Sequence, residues 1–270
     1  DALATAIERT EGRHPLAVVA TSGTTVTGAF DPIHPIADLC EAHDLWLHVD
    51  GAYGASALFS PDQRHRLAGV ERADSLVWDL HKMMGMTQQC SVLLARDADQ
   101  LDRCFATGAD YLFQPDKRHG ELDTGDRTFQ CGRRVDVVKL WLAWKVHGDE
   151  GFADRIDRAV AVASHVRARV AEDDRFALQA PGDFTNACIV WLPPELRGGP
   201  LDDDARTGLH ALPPRVKARM QDEGTAMVGF QPVGGLNCFR LLFMNPRVTT
   251  HDADDLLALI DRYATEEWHS

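Results

Sequence analysis

Apolar and polar positions along the first half of the chain switch between two periods. PLAVVAT (15–21) is a short apolar run that predicts a buried strand, and the small polar stretch SGTTVTGAF follows it. IHPIADLCEAHD (33–44) carries apolar residues at helical spacing. LWLHVD (45–50) predicts a second strand, GAYGASALF a short helix, and SLVWDL (75–80) and QCSVLLARD (89–97) two more strands. Strands that alternate with helices imply right-handed crossovers and a mainly parallel sheet. Residues 105–130 show no period and read as a long loop, a form often tied to function.

The second half has a different rhythm. RVDVVKLWLAWKVHG (134–148) predicts a helix stopped by Gly148, and a further helix is expected from about Gly151 to Glu172. We place a domain boundary between them, dividing the chain into 1–149 and 150–270. Strand NACIVWLPP (186–194), a polar loop RGGPLDDDARTG, helix LPPRVKARMQDEG, strands TAMVGFQP and NCFRLLFMNP, and helix DADDLLALIDRY complete a small α+β unit. Trp141 and Trp144, three residues apart on a helix, read as core packing, and LDDDAR (201–206) as solvated surface.

The chain has 270 residues, 44% of them hydrophobic, enough for one large core or two smaller ones. A formal charge of −13 argues against nucleic acid or an anionic membrane as partner. Six cysteines are scattered without CxxC spacing, which reads as buried free thiols in a reducing cytoplasm. No segment reads as a secretory leader or a bilayer span. The opening DALATAIERTEG has helical spacing and enters in mid-element, so a fragment, a processed product or one part of a split protein is expected.

The chemistry concentrates at strand ends, where ligands gather in such sheets. SLVWDLHKMM delivers Lys82 at the end of an apolar strand beside His81, and LWLHVD delivers Asp50 in the same way. A poorly solvated lysine is a usable amine nucleophile. An amine and a carboxylate so placed suit pyridoxal phosphate, the lysine forming a Schiff base and the acid holding the pyridine nitrogen protonated. Lys82 read alone is a solvated loop residue, Asp50 a helix N-cap, and His48 with Asp50 a pair of metal ligands lacking an obvious third. The loop with Thr24 and Thr25 could cradle an anion or be a plain turn. Arg240, inside NCFRLLFMNP, requires an anionic partner, either a bound carboxylate or phosphate or an internal acid.

The stretches SGTTVTGAFDPI, LWLHVDGAYG, HRLAGVERADSLVWDLHKMMG, QCSVLLARD, YLFQPDK, DTGDRTFQCGRRVDVVKLWLAWKVHG, VKARMQDEGTAMVGFQP and NCFRLLFMNP together resemble the group II pyridoxal-phosphate-dependent amino acid decarboxylases, in their glutamate and cysteine sulfinate branch. The resemblance implies an α/β fold of type I, with part of a large cofactor domain and a small C-terminal α+β domain, normally dimeric. It places the Schiff base on Lys82, the pyridine-nitrogen contact on Asp50, a phosphate contact on His81, Thr25 near the ring, and the substrate carboxylate on Arg240. The implied reaction is decarboxylation of a small acidic L-amino acid.

Three departures from the family pattern matter. The longer N-terminal part of the family does not precede SGTTVTGAF here, so a second polypeptide supplying that half is expected. The mobile loop after PDK has Arg118, His119 and Gly120 where relatives carry a proton-donating tyrosine. His119 is the replacement donor, and an aldehyde-forming oxidative reaction is the alternative. Asp79 and Leu80 stand where many relatives have Asn-Pro, and Asp79 near a phosphate would repel it unless a cation intervenes. A partner subunit that keeps the fold without catalysis is the non-enzymatic alternative.

Overall fold

The computed structural model describes residues 2–9, 12–108, 116–130 and 132–270. Most of YLFQPDK, and Cys131, lie outside the described residues.

A short helix, α1 (Ala2–Glu8), buries Ile7 and leads into β1 (Ala17–Thr21). Helix α2 (Ile33–Ala42) buries Ile33, Ala37 and Cys40, one face at spacings of four and three. Strand β2 (Trp46–Asp50) turns Leu47 and Val49 into the core and sends Trp46, His48 and Asp50 to the other face. Three short helical turns (Gly54–Phe59, Arg64–Leu67 and Val70–Arg72) lead to β3 (Ser75–Asp79), and β4 (Ser91–Ala95) returns beside it. The sheet order is β1-β2-β3-β4, with β1, β2 and β3 parallel and β4 antiparallel to β3. The parallel strands therefore end on one edge, with Thr21 opposite Asp50 and Asp50 opposite Val77.

Helix α3 (Gln100–Phe105) precedes the stretch expected to be loop, which two helical turns, Gly120–Leu122 and Gly125–Arg127, interrupt. Helix α4 (Val137–Glu172) is broken at Gly148, whose φ of 61° and ψ of −178° suit glycine alone. Its C-terminal portion buries Ile156 and Ala159 in the core of the first sheet, Val166 in that of the second, and Phe152 with Leu80 and Met84.

The second sheet is antiparallel, built from β5 (Phe176–Leu178), β6 (Asn186–Trp191), β7 (Gly229–Val233) and β8 (Leu236–Leu242) in the order β5-β6-β8-β7. Every residue of β6 is buried. Helices α5 (Asp203–Asp222) and α6 (Thr250–Trp268) cover it. A capping box of Thr249 and Asp252 starts α6.

Several sequence expectations need correction. α5 begins at Asp203, inside the stretch read as a loop, because the Asp202 side chain accepts the Ala205 amide at 2.8 Å and caps it. Pro213 and Pro214 then lie within the helix rather than at its start. The His210 carbonyl, which loses its helical partner at Pro214, accepts the Asn237 amide nitrogen at 2.8 Å instead. Strand β5 went unread because three residues give too little alternation. Trp144 packs against Phe59 and Phe152 as expected, but Trp141 is 57% exposed, since it lies on the side of α4 that no described element covers. Cys40, Cys90, Cys188 and Cys238 are buried free thiols, whereas Cys104 is exposed. No helix among the described residues is long and apolar enough to cross a membrane.

Candidate active site

Backbone hydrogen bonds tie the strand ends into one surface. The Ser22 amide donates to the Asp50 carbonyl at 2.8 Å, Gly54 to Ser22 at 3.1 Å, and Asp79 to Ala52 at 3.0 Å. The Gly23 and Gly54 backbones touch so closely that a Cβ on Gly23 would lie 2.9 Å from Gly54. This contact brings the Thr24–Thr25 loop down onto the turn that follows Asp50.

Asp50 sits at the end of β2, and its Oδ1 accepts the Ala52 amide at 3.1 Å, a local turn contact; the helical turn that follows starts at Gly54 with Tyr53 at its N-cap, so Asp50 is not the helix cap. Among the described residues its Oδ2 accepts no hydrogen bond. His48 Nδ1 lies 2.8 Å from Ser75 Oγ. No group of three or more His, Cys, Asp or Glu side chains among the described residues is arranged to hold a metal ion.

Lys82 follows β3 through a tight turn, its amide donating to the Asp79 carbonyl at 3.0 Å. Its side chain is 42% exposed, and Nζ lies 2.9 Å from Asp79 Oδ2. Ser91, opposite Asp79 in the β3–β4 register, donates from Oγ to Asp79 Oδ1 at 2.6 Å. Partial burial pushes the Asp79 carboxyl upward, but the Lys82 and Ser91 hydrogen bonds outweigh it and hold the group below the usual aspartate range. The cation beside Asp79 in this structure is Lys82. His81 Nδ1 lies 2.9 Å from the Cys90 carbonyl oxygen, and its Nε2 is 3.9 Å from Asp79 Oδ2. Asp79, His81 and Lys82 thus form one cluster on the edge that also carries Asp50.

Thr25 and Arg240 form a second pair. Arg240 Nη1 donates to the Thr25 carbonyl at 2.9 Å. No acid among the described residues makes an ion pair with this guanidinium, so an internal salt bridge is not its partner there. The Thr25 side chain is exposed, while Thr24 is engaged internally, 2.9 Å from Thr27 Oγ1 and accepting the Ala29 amide at 2.9 Å. His119 is exposed at the start of the Gly120–Leu122 turn, with a left-handed φ of 64°, on the loop and not on the strand ends.

Sequence reasoning missed Ser91, Tyr53 and Asn186. Ser91 could have been found by assuming a β3–β4 hairpin register. Asn186 opens an otherwise apolar strand, which is itself a signal. Partly buried Tyr53 has its hydroxyl 2.5 Å from Thr185 Oγ1, and desolvation pushes it up to about 12, so the phenol keeps its proton.

An amine paired with one carboxylate, a second carboxylate with an open oxygen, an imidazole and a threonine with an exposed side chain, gathered at the strand ends, are a donor set that fits pyridoxal phosphate. The family model described as the pyridoxal-dependent decarboxylase conserved domain matches residues 1–191. The chain belongs to the pyridoxal-dependent decarboxylase family. Within it, cysteine sulfinic acid decarboxylase of Rattus norvegicus is 46% identical over 255 residues, covering 93% of this chain and 52% of the relative. Acidic amino acid decarboxylase GADL1 of Bos taurus is 44% identical over 254 residues, with 93% and 49% covered. The crystal structure of mouse CSAD in apo form superposes with a TM-score of 0.90 at 42% identity, covering 97% of this chain and 55% of that one. The chain spans about half the length of the curated relatives it matches. These pyridoxal-dependent decarboxylases carry the type I fold, and the three parallel strands with β4 are its partial sheet here.

Proposed function

We propose that the protein is a pyridoxal 5'-phosphate-dependent decarboxylase acting on a small acidic L-amino acid. The observation that carries this reading is the Lys82 amine, exposed and held beside Asp79 on the same strand edge as Asp50. When bound, pyridoxal phosphate supplies the carbonyl that captures amines and the ring that accepts the electron pair left by a departing carboxylate.

Lys82 is the amine that would hold the cofactor. Asp50, with Oδ2 open, would keep a proton on the ring nitrogen, and His81 and Asp79 would stand at the cofactor's edge. Thr25 would lie against the ring. Arg240 would take the substrate carboxylate, for which a planar, two-pronged donor is suited. His119 would deliver a proton to the substrate α-carbon. The similarity to cysteine sulfinic acid and acidic amino acid decarboxylases supports an acidic side chain on the substrate.

The same reading divides the chain into a cofactor part, 1–149, and a smaller part, 150–270, and the break at Gly148 supports that division. A second polypeptide would complete the site, and the protein would work as a dimer or heteromer. Exposed Leu93, Leu94, Val137 and Trp141 give such a partner an apolar surface to cover. Four buried free thiols support a cytoplasmic location.

The test is borohydride reduction of the native protein with pyridoxal phosphate, peptide mapping, and assay of acidic amino acids for carbon dioxide release. A reduced adduct on Lys82 with carbon dioxide and amine formed is expected. No adduct on Lys82 would overturn the reading, and stoichiometric oxygen consumption with peroxide would replace it with the aldehyde-forming reaction.

A further inference from the structure

The loop that carries Thr25 is held through its carbonyl oxygens, by residues of the second sheet and of the segment that leads into β6. Thr25 O accepts Arg240 Nη1 at 2.9 Å and Asn186 Nδ2 at 3.2 Å. Val26 O accepts the same Asn186 Nδ2 at 2.9 Å and the Cys188 thiol at 3.3 Å. Thr27 O accepts the Asp183 amide at 2.9 Å. Asn186 is 1% exposed, so its carboxamide works away from water. Its Oδ1 accepts the Thr185 hydroxyl at 3.4 Å. Gly28 packs against it so tightly that a Cβ there would lie 2.9 Å from Asn186 Oδ1.

Thr25 O is thus shared, one lone pair taken by the asparagine and the other by the arginine. The guanidinium has five donors in a rigid fork, so fixing one N–H fixes the direction of the rest. We infer that Asn186 is a positioning residue for carboxylate recognition: by fixing the Thr25 carbonyl it aims Arg240 at the substrate. This rests on the proposed role of Arg240. Asn186 touches neither cofactor nor substrate in this scheme and acts through the shared carbonyl. An aspartate in its place would have no donor for the two carbonyls. It would also put a negative charge across one carbonyl from Arg240 and draw the guanidinium away from its ligand.

The experiment uses the cofactor-loaded protein and the acidic amino acid it turns over. Binding constants are measured for that amino acid and for the amine made from it, which lacks the carboxylate. Their ratio reads carboxylate recognition and is insensitive to general damage. In Asn186→Asp the amino acid is expected to lose at least about ten-fold in affinity, the amine less than about two-fold. Asn186→Ala is expected to give a smaller loss of the same kind. If Asn186→Asp does not fold, Thr185→Val removes the hydroxyl that holds Oδ1 and reads the same ratio. An unchanged ratio in the variants, or equal losses for both ligands, overturns the inference while leaving the proposed function intact. A wild-type protein that carries a Lys82 adduct but does not prefer the amino acid over its amine removes the role of Arg240, and this inference with it.

Discussion

The two sheets are finished to different degrees. The second closes on itself: β6 is buried throughout, and Trp191 is held by packing and by a 2.7 Å hydrogen bond from its indole to Asp261. The first is closed on one side by α2 and the C-terminal part of α4, but Val19, Leu93 and Leu94 face outward, as do Val137 and Trp141 on α4. Lys82, Asp50 and His81 belong to the unfinished sheet, while the finished one contributes Arg240 and the contacts that steady the Thr25 loop. A rigid antiparallel sheet here serves as the frame against which a parallel-strand edge is set.

The sharpest way to break this comparison is Lys82→Ala. Turnover is expected to fall by about a thousand-fold or more, with the borohydride-trapped adduct lost from its peptide. The melting temperature should fall only slightly at neutral pH, because the side chain is 42% exposed and its ion pair with Asp79 is open to solvent on one side. A variant that unfolds would show that the strand edge is structural. Asp50→Ala should follow, with turnover reduced roughly a hundred-fold or more; near-normal turnover would remove it from the site.

Stability should divide the two regions. Trp191→Ala is expected to cost about 3–5 kcal/mol in denaturant unfolding, and Leu93→Ala to stay within about 0.5 kcal/mol. Equal losses would mean that the outer face of β4 is as closed as β6. Within the finished region, Thr249→Ala removes the cap of α6 and should cost about 1 kcal/mol.

The smallest effect is one of pH. Asp79 is held below the usual aspartate range in the folded protein, so its contribution is complete above the ordinary value, about 4, and lost as pH falls through the lower folded value. Asp79→Asn should flatten the acid limb of the melting temperature below about pH 4. An unaltered limb would show that the Lys82 pair adds nothing to folding.

Much of this organisation is legible in the sequence. The parallel strands announce themselves as short apolar runs, and Lys82 and Asp50 stand out because charge follows each run directly. The α5 start was not legible because Asp202 caps through a side-chain bond, while the two prolines look like a beginning. Trp141 misled because helical spacing says which residues share a face and not whether anything lies against it. A polar residue opening an apolar strand marks Asn186 as unusual, but its role was not legible because its partners are backbone carbonyls about 160 residues earlier, which no local pattern encodes.

The break at Gly148 has a consequence for local opening. Helical hydrogen bonding does not run unbroken through α4, so its two portions need not protect their amides together. The N-terminal portion is held through Leu140, Ala143 and Trp144, while the C-terminal portion is gripped by both cores. Amide exchange should therefore report a step at this glycine: fast deuteration before it, and after it protection approaching that of the whole fold.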